Sequence, residues 1–339
     1  MKERPLKPRV TIRDVAAAAG VSITTVSHVL NGKGRTSEET RRLVLAAAER
    51  VGYGADPIAR SLRTGETGVL GIIFRPSDAI SGSMHGTEYH IRLAGGAATA
   101  ALSRGYGLLH LPRPMGTQRY AFPMDGCIVV APFKGDPIVT EFIRRNLPVV
   151  TADPDPGRPE FPWSIRRDDY TAVRELLDHL AANGAERIAL LHGLDTNAWL
   201  LESRRAFMEW AAEHRREPMV FTLPEPHGAE GAHKLALELL SEKSRPDTIV
   251  AATTRFAVGV MQASRELGLA VPQDLMVAAL SDSELARGHE TPITAIDLHG
   301  DVVGRESVAL IMRRLAGESP PEPAILRPTL RLRESTRRR

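Results

Sequence analysis

Apolar residues change their spacing along this chain. Between Val10 and Gly52 they recur in short helical runs. Ile12, Val15, Ala16 and Ala19 make one small apolar face, and Val26, Val29 and Leu30 make another. Thr11, with Asp14 three residues on, forms a capping-box start for the first helix. Gly20 permits the turn and Ser22 caps the second helix. This leaves Ile23, Thr24, Thr25, Ser27 and His28 on the outer, N-terminal side of that helix. A third helix is predicted from Ser37, through Arg41–Arg50, to Gly52. Two short helices about a tight turn are the layout of a helix-turn-helix head, whose second helix reads the DNA major groove.

The next segment, Asp56 to Gly65, reads DPIARSLRTG. Asp56 as cap and Pro57 as first helical residue predict a helix start. About two turns of helix are marginal alone, because nucleation is costly. Leu62 is exposed on so short a helix, and such a side chain can wedge between base steps in the minor groove.

From Gly68 onward, short apolar runs alternate with amphipathic stretches. Strands are predicted over Val69–Phe74, Gly107–Leu111, Cys127–Ala131, Val149–Ala152, Ile188–Leu191, Thr248–Ala252 and Met276–Leu280. Helices are predicted over Glu88–Ser103, Val139–Arg145, Ala172–Asn183, Ser203–His214, Ala232–Glu242, Val258–Leu267 and Val303–Leu315. The expected fold is therefore an all-α helix-turn-helix head on an α/β body of two doubly wound parallel-sheet lobes. The expected boundaries are 1–55 for the head, 56–67 for a hinge helix and linker, and 68–339 for the body. Such sheets take ligands outside the carboxyl ends of their strands.

Charge sharpens this picture. The net charge of +3 is unevenly spread: residues 1–65 carry twelve Lys/Arg against six Asp/Glu, so the remainder is mildly acidic. A cationic head suits a polyanion, because each neutralised phosphate releases counterions. The single cysteine, Cys127, excludes an internal disulfide framework and reads as a core residue in a reducing cytosol. No apolar run is long enough to span a bilayer. The charged start MKERPLKPRV lacks the apolar core of a secretory signal. A cytoplasmic location with no membrane partner is expected.

No catalytic constellation stands out: there is no Gly-rich phosphate loop after the first strand, no nucleophile elbow and no paired-His metal spacing. His85 and His90 have no carboxylate beside them and read as surface residues. Asp168 and Asp169 fall at a predicted helix N-terminus, which the helix dipole favours. No enzyme activity, cofactor or metal is expected. A solute-binding protein would share the body but not the head, and an α/β enzyme is not excluded by fold alone.

The stretch from Val10 to Gly65, with TVSHVLNG and DPIARSLR, resembles the LacI/GalR (lactose/galactose-repressor) family of bacterial transcription regulators. The body follows in order through PVVTAD, RDDYTAV, GLAVPQD and LRES. The resemblance implies a periplasmic-binding-protein-like body, with lobe 1 at about 68–165 and 294–320 and lobe 2 at about 166–293 and 321–334. It implies a repressor that binds a pseudo-palindromic operator as a homodimer and is modulated by a small molecule in the interlobe cleft. Ile23, Thr24 and His28 would occupy base-reading positions. Thr11, Ser22, Thr25, Ser27 and Asn31 would contact the backbone or position the helix, and Ala59 and Leu62 would enter the minor groove. Hinge segments Pro57–Arg63 would order together only on DNA, and the effector would act through its differential affinity for two states.

Several positions depart from the family pattern. His28 stands where arginine is usual, so a bidentate guanine contact worth ~1–3 kcal/mol of discrimination gives way to a single donor. In the cleft, Asp153 matches a family residue and Trp199 lies close enough to stack on a ligand. Ser203, Thr253 and Ser281, however, stand where arginine, asparagine and aspartate are usual. Arg204, Arg255 and Asp282 are neighbours in sequence but should project elsewhere. Losing those polar groups argues for an effector other than a standard monosaccharide, or for none. Between Leu111 and Cys127, Pro112, Pro114 and Pro123 argue against the family's usual helix. The loop Ser77–Gly86 lacks its usual aromatic pair, and Arg337–Arg339 carries no coiled-coil heptad.

Overall fold

The computed structural model describes residues 10–30, 34, 36–53, 66–75, 88–111, 122–323 and 325–338. The chain divides into two compact units, Met1–Thr67 and Gly68–Arg339.

In the first unit, α1 (Ile12–Ala19), α2 (Ile23–Leu30) and α3 (Glu38–Val51) surround a small core of Val15, Ala16, Ala19, Val26, Val29, Val44, Ala47 and Ala48. The Asp14 carboxylate accepts from both the backbone N–H (2.7 Å) and the hydroxyl (2.8 Å) of Thr11, which fixes the start of α1. Gly20 ends it at φ 66°, ψ 28°, a left-handed conformation that side chains with a Cβ enter at a cost. The turn is then short enough for α2 to cross over the alanines of α1. The Arg50 guanidinium donates to the Ala18 carbonyl at 2.8 Å, tying α3 to the end of α1.

The second unit holds two six-stranded sheets. The first contains β1 (Val69–Phe74), β2 (Gly107–His110), β3 (Gly126–Val130), β4 (Val149–Ala152), β5 (Ser164–Arg167) and β11 (Ile325–Leu326), in the order β11-β5-β4-β3-β1-β2. The second contains β6 (Ile188–His192), β7 (Met219–Thr222), β8 (Thr248–Ala251), β9 (Met276–Ala279), β10 (Thr294–Asp297) and β12 (Thr329–Arg331), in the order β12-β10-β9-β8-β6-β7. All pairings are parallel except that of β10 with β12. The alternation of β1 shows why both faces are covered. Leu70, Ile72 and Phe74 enter one apolar cluster, and Ile73 enters another with Cys127, Val129 and Phe142.

Helices α4 (Glu88–Leu102), α5 (Pro137–Arg144) and α11 (Gly300–Leu315) accompany the first sheet. Helices α6 (Asp169–Ala182), α7 (Ala198–Glu213), α8 (Gly228–Ser241), α9 (Thr254–Glu266) and the one-turn α10 (Glu284–Arg287) accompany the second. Among the described residues no helix is long and apolar enough to cross a membrane.

The expected lobe boundaries need correction. Thr294–Asp297 was assigned to lobe 1, yet it extends the second sheet, with Thr294 beside Ala278 and Ala295 beside Ala279. Ile325–Leu326 was assigned to lobe 2, yet it pairs with Arg166 and Arg167 in the first sheet. Each short strand completes the sheet whose edge lies nearest, so the chain changes lobe three times: after β5, between β10 and α11, and between β11 and β12. The predicted hinge helix, Asn31, Ala59, Leu62, His85 and the loop Ser77–Gly86 lie outside the described residues. So do Pro112–Ala121, which make up most of the segment between Leu111 and Cys127.

Candidate functional site

Two sites emerge, one in each unit. In the head, the Ser22 hydroxyl accepts from the Thr25 N–H at 3.1 Å and lies 2.9 Å from the Thr25 hydroxyl, so both residues define the start of α2. Val26 and Val29 face the core. The helical period then places Ile23, Thr24 and His28 outside, and all three are exposed; Ile23 is 45% accessible despite being apolar. Thr11 is exposed, while Ser27 is half-buried. An exposed row of one isoleucine, one threonine and one histidine on a short capped helix can meet base edges.

In the body, the site lies where strands end. Arg167 closes β5, and Asp153 follows β4 at φ 83°. Asp195, Asn197 and Trp199 follow β6, Glu225 follows β7, Thr253 follows β8 and Ser281 follows β9. Tyr89 and His90 come from the first turn of α4. Together with Ala131, Leu200 and Leu298 they line one cavity between the lobes.

Four of the five residues expected to face an effector, Asp153, Trp199, Thr253 and Ser281, line this cavity. Ser203 does not. It lies one turn beyond Trp199 on α7, and its short side chain is fully buried. An arginine there could reach back toward the cavity; a serine cannot. Thr253 spends its hydroxyl capping α9, accepting from the Phe256 N–H at 3.3 Å. Asn197 likewise caps α7 through the Leu200 N–H at 3.0 Å. His90, read from sequence as a surface residue, lines the cavity and packs edge-on against Phe74 at 5.4 Å.

Sequence reasoning missed Arg167, the central cation. Its side chain is 1% exposed and meets the Asp153 carboxylate at 2.7 Å and the Asp169 carboxylate at 3.1 Å. It also donates to the Tyr89 hydroxyl at 2.6 Å. Burial pushes the Asp153 carboxyl up to about 6; Arg167 opposes this and Asp169 adds to it. Burial also pushes the Tyr89 phenol up. Burial works against the Arg167 charge, but Asp153 and Asp169 outweigh it and hold the guanidinium charged. The Asp153 shift has a testable sign. An acid whose folded pKa lies above its unfolded value destabilises the fold as pH rises through that folded pKa. An Asp153→Asn protein should therefore gain in unfolding midpoint relative to the parent between about pH 4 and about pH 7. A difference that stays flat across that range would remove the burial account.

The two lobes are also joined around the cavity. Glu88 on α4 accepts from the Arg287 guanidinium at 2.8 and 3.0 Å and from the Glu284 backbone N–H. The Lys134 N–H donates to the Thr196 carbonyl at 3.1 Å. Among the described residues no group of three or more His, Cys, Asp or Glu side chains is placed to hold a metal ion.

Residues 11–56 match the model of bacterial regulatory proteins of the lacI family, and residues 177–336 match a periplasmic binding protein-like domain. The HTH-type transcriptional repressor PurR of Pectobacterium carotovorum is 27% identical over 339 residues, covering 96% of each chain. The HTH-type transcriptional regulator CelR of Thermobifida fusca is 26% identical, covering 98% of this chain and 99% of that one. The Lac repressor dimer bound to operator and the anti-inducer ONPF superposes with a TM-score of 0.82 at 24% identity, over 97% of this chain and 99% of that one. With head and body each matched, in order, the chain joins a regulatory head of the lacI family to a periplasmic binding protein-like body.

Proposed function

We propose that this protein is a transcriptional repressor that binds a pseudo-palindromic operator as a homodimer, and that a small molecule between the lobes of the body controls it. The reading rests on the exposed face of α2: Ile23, Thr24 and His28 stand clear of a core that Val26 and Val29 fill. The Lac repressor is named as a dimer on operator DNA, and CelR is named in complex with cellobiose. Those two occupants are the model for the head and for the body cavity. The protein acts in the cytoplasm, with its relatives' role as regulator rather than enzyme.

A gel-shift or anisotropy titration on duplexes from upstream of its own gene tests this. Affinity should fall by about 10³-fold or more between 50 and 200 mM salt, as expected if several Lys and Arg side chains displace counterions. Failure to bind any duplex at low ionic strength, by folded dimeric protein, would sink the proposal. The half-site should also differ from the family's at the base that position 28 meets. Site selection with His28→Arg should restore guanine there, by about 1–3 kcal/mol of preference.

A further inference from the structure

We infer that the molecule held between the lobes is a small organic cation, with an ammonium or guanidinium group against Glu225 and an apolar or planar portion against Trp199. This rests on the effector-site reading above. Glu225 is 6% exposed and lines the cavity. Its carboxylate takes one long bond, from the Asp195 N–H at 3.3 Å, and among the described residues no cation pairs with it. Gly193 is what allows it to sit there: a Cβ on that residue would fall 1.9 Å from Glu225 Oε1.

The rest of the cavity adds no compensating positive charge for Glu225. Arg167 is shared between two carboxylates, Asp153 and Asp169. Arg255 reaches the Glu225 backbone carbonyl at 3.4 Å, not its carboxylate. His192 lies buried behind the site with its ring nitrogens 2.8 Å from the carbonyls of Gly193 and Leu200. Burial lowers its pKa, while its contacts with the Leu200 and Gly193 carbonyls raise it. Of the lining carboxylates, Asp153 already meets Arg167, whereas Glu225 meets no cation among the described residues. A buried carboxylate without a counter-charge is costly, and an occupant that brings one relieves it. A neutral polyol supplies donors but no charge. The indole of Trp199, which lines the same cavity, offers a face that attracts cations.

The test uses full-length protein, thermal shift and calorimetry. Its probes are putrescine, agmatine and glucosamine, set against the neutral partners 1,4-butanediol and glucose. At least one amine should raise the melting temperature as its concentration rises, and its neutral partner should not. Glu225→Gln should weaken that binding at least about tenfold, the loss of one charge-assisted contact. Glu230→Gln, on the exposed face of α8, should leave it unchanged. Without ligand, Glu225→Gln should melt about 2–4 °C above the parent, because the uncompensated charge is gone. If none of the three amines binds, or the neutral partner binds as tightly, the inference is overturned. So is it if Glu225→Gln melts lower than the parent. Operator binding measured in parallel keeps the cases apart: its loss defeats the regulator reading, while its survival with no amine bound defeats only the cation.

Discussion

An Arg167→Met protein is expected to lose about 3–5 kcal/mol of body stability, the range for breaking a buried ion pair from one side. The guanidinium is 1% exposed, and its removal strands Asp153 and Asp169 together in the interior. Two like charges without a cation must either take up protons or draw water in. Urea unfolding reads the loss as a lower midpoint with an unchanged slope. Neutralising the carboxylates as well, in Arg167→Met/Asp153→Asn/Asp169→Asn, should recover most of the loss, because the penalty belongs to the unpaired charges. A loss below about 1 kcal/mol in the single variant would mean that the site behaves like a solvated surface pair.

Gly304→Ala should cost about 3 kcal/mol, the upper part of the range for overpacking. Helices α4 and α11 meet through glycine. A Cβ on Gly304 would fall 2.1 Å from the Leu93 carbonyl oxygen, and one on Gly300 would fall 2.5 Å from that of Tyr89. Backbone cannot step aside as a side-chain tip can, so the helices must separate. Tyr89 moves with α4, and its hydrogen bond to Arg167 goes with it. The variant should therefore lose ligand response as well as stability. Gly95→Ala, also on α4, is the control: an added Cβ there meets nothing within 4 Å. It should gain up to about 1 kcal/mol from helix propensity alone. Equal effects at the two positions would contradict the close-packing account.

The head was legible because each signal in it is local. A capping pair, a turn glycine and apolar residues at helical spacing all act within a few residues, and the structure places Thr11, Ser22, Ile23, Thr24 and His28 accordingly. In the body, the seven expected strands were found to within a residue at either end. Helices began three to five residues earlier than periodicity suggested, as at Asp169, Ala198 and Gly228. Five strands were missed, the fifth, seventh and last three of the twelve, and two site residues went with the first two of these. Three of the four residues of Ser164–Arg167 are polar, so it lacks the apolar run of a central strand, and Met219–Thr222 is a sheet edge with no fully buried residue. Arg167 ends the first and Glu225 follows the second. Once those strands are known, the rule that ligands sit beyond strand carboxyl ends points at both residues.

Both sheets wait for the far end of the chain. β11 borders the first and β12 the second, and beyond them Ser335 and Thr336 are fully buried. The Ser335 hydroxyl donates to the Val277 carbonyl at 2.6 Å and accepts from the Thr294 N–H at 2.9 Å. During synthesis, the helical head can emerge from the ribosome and fold while most of the message is still unread. Neither lobe can close its edge until residues 325–331 have been made. Nascent chains therefore complete the helical head well before they complete the two sheets that frame the body cavity.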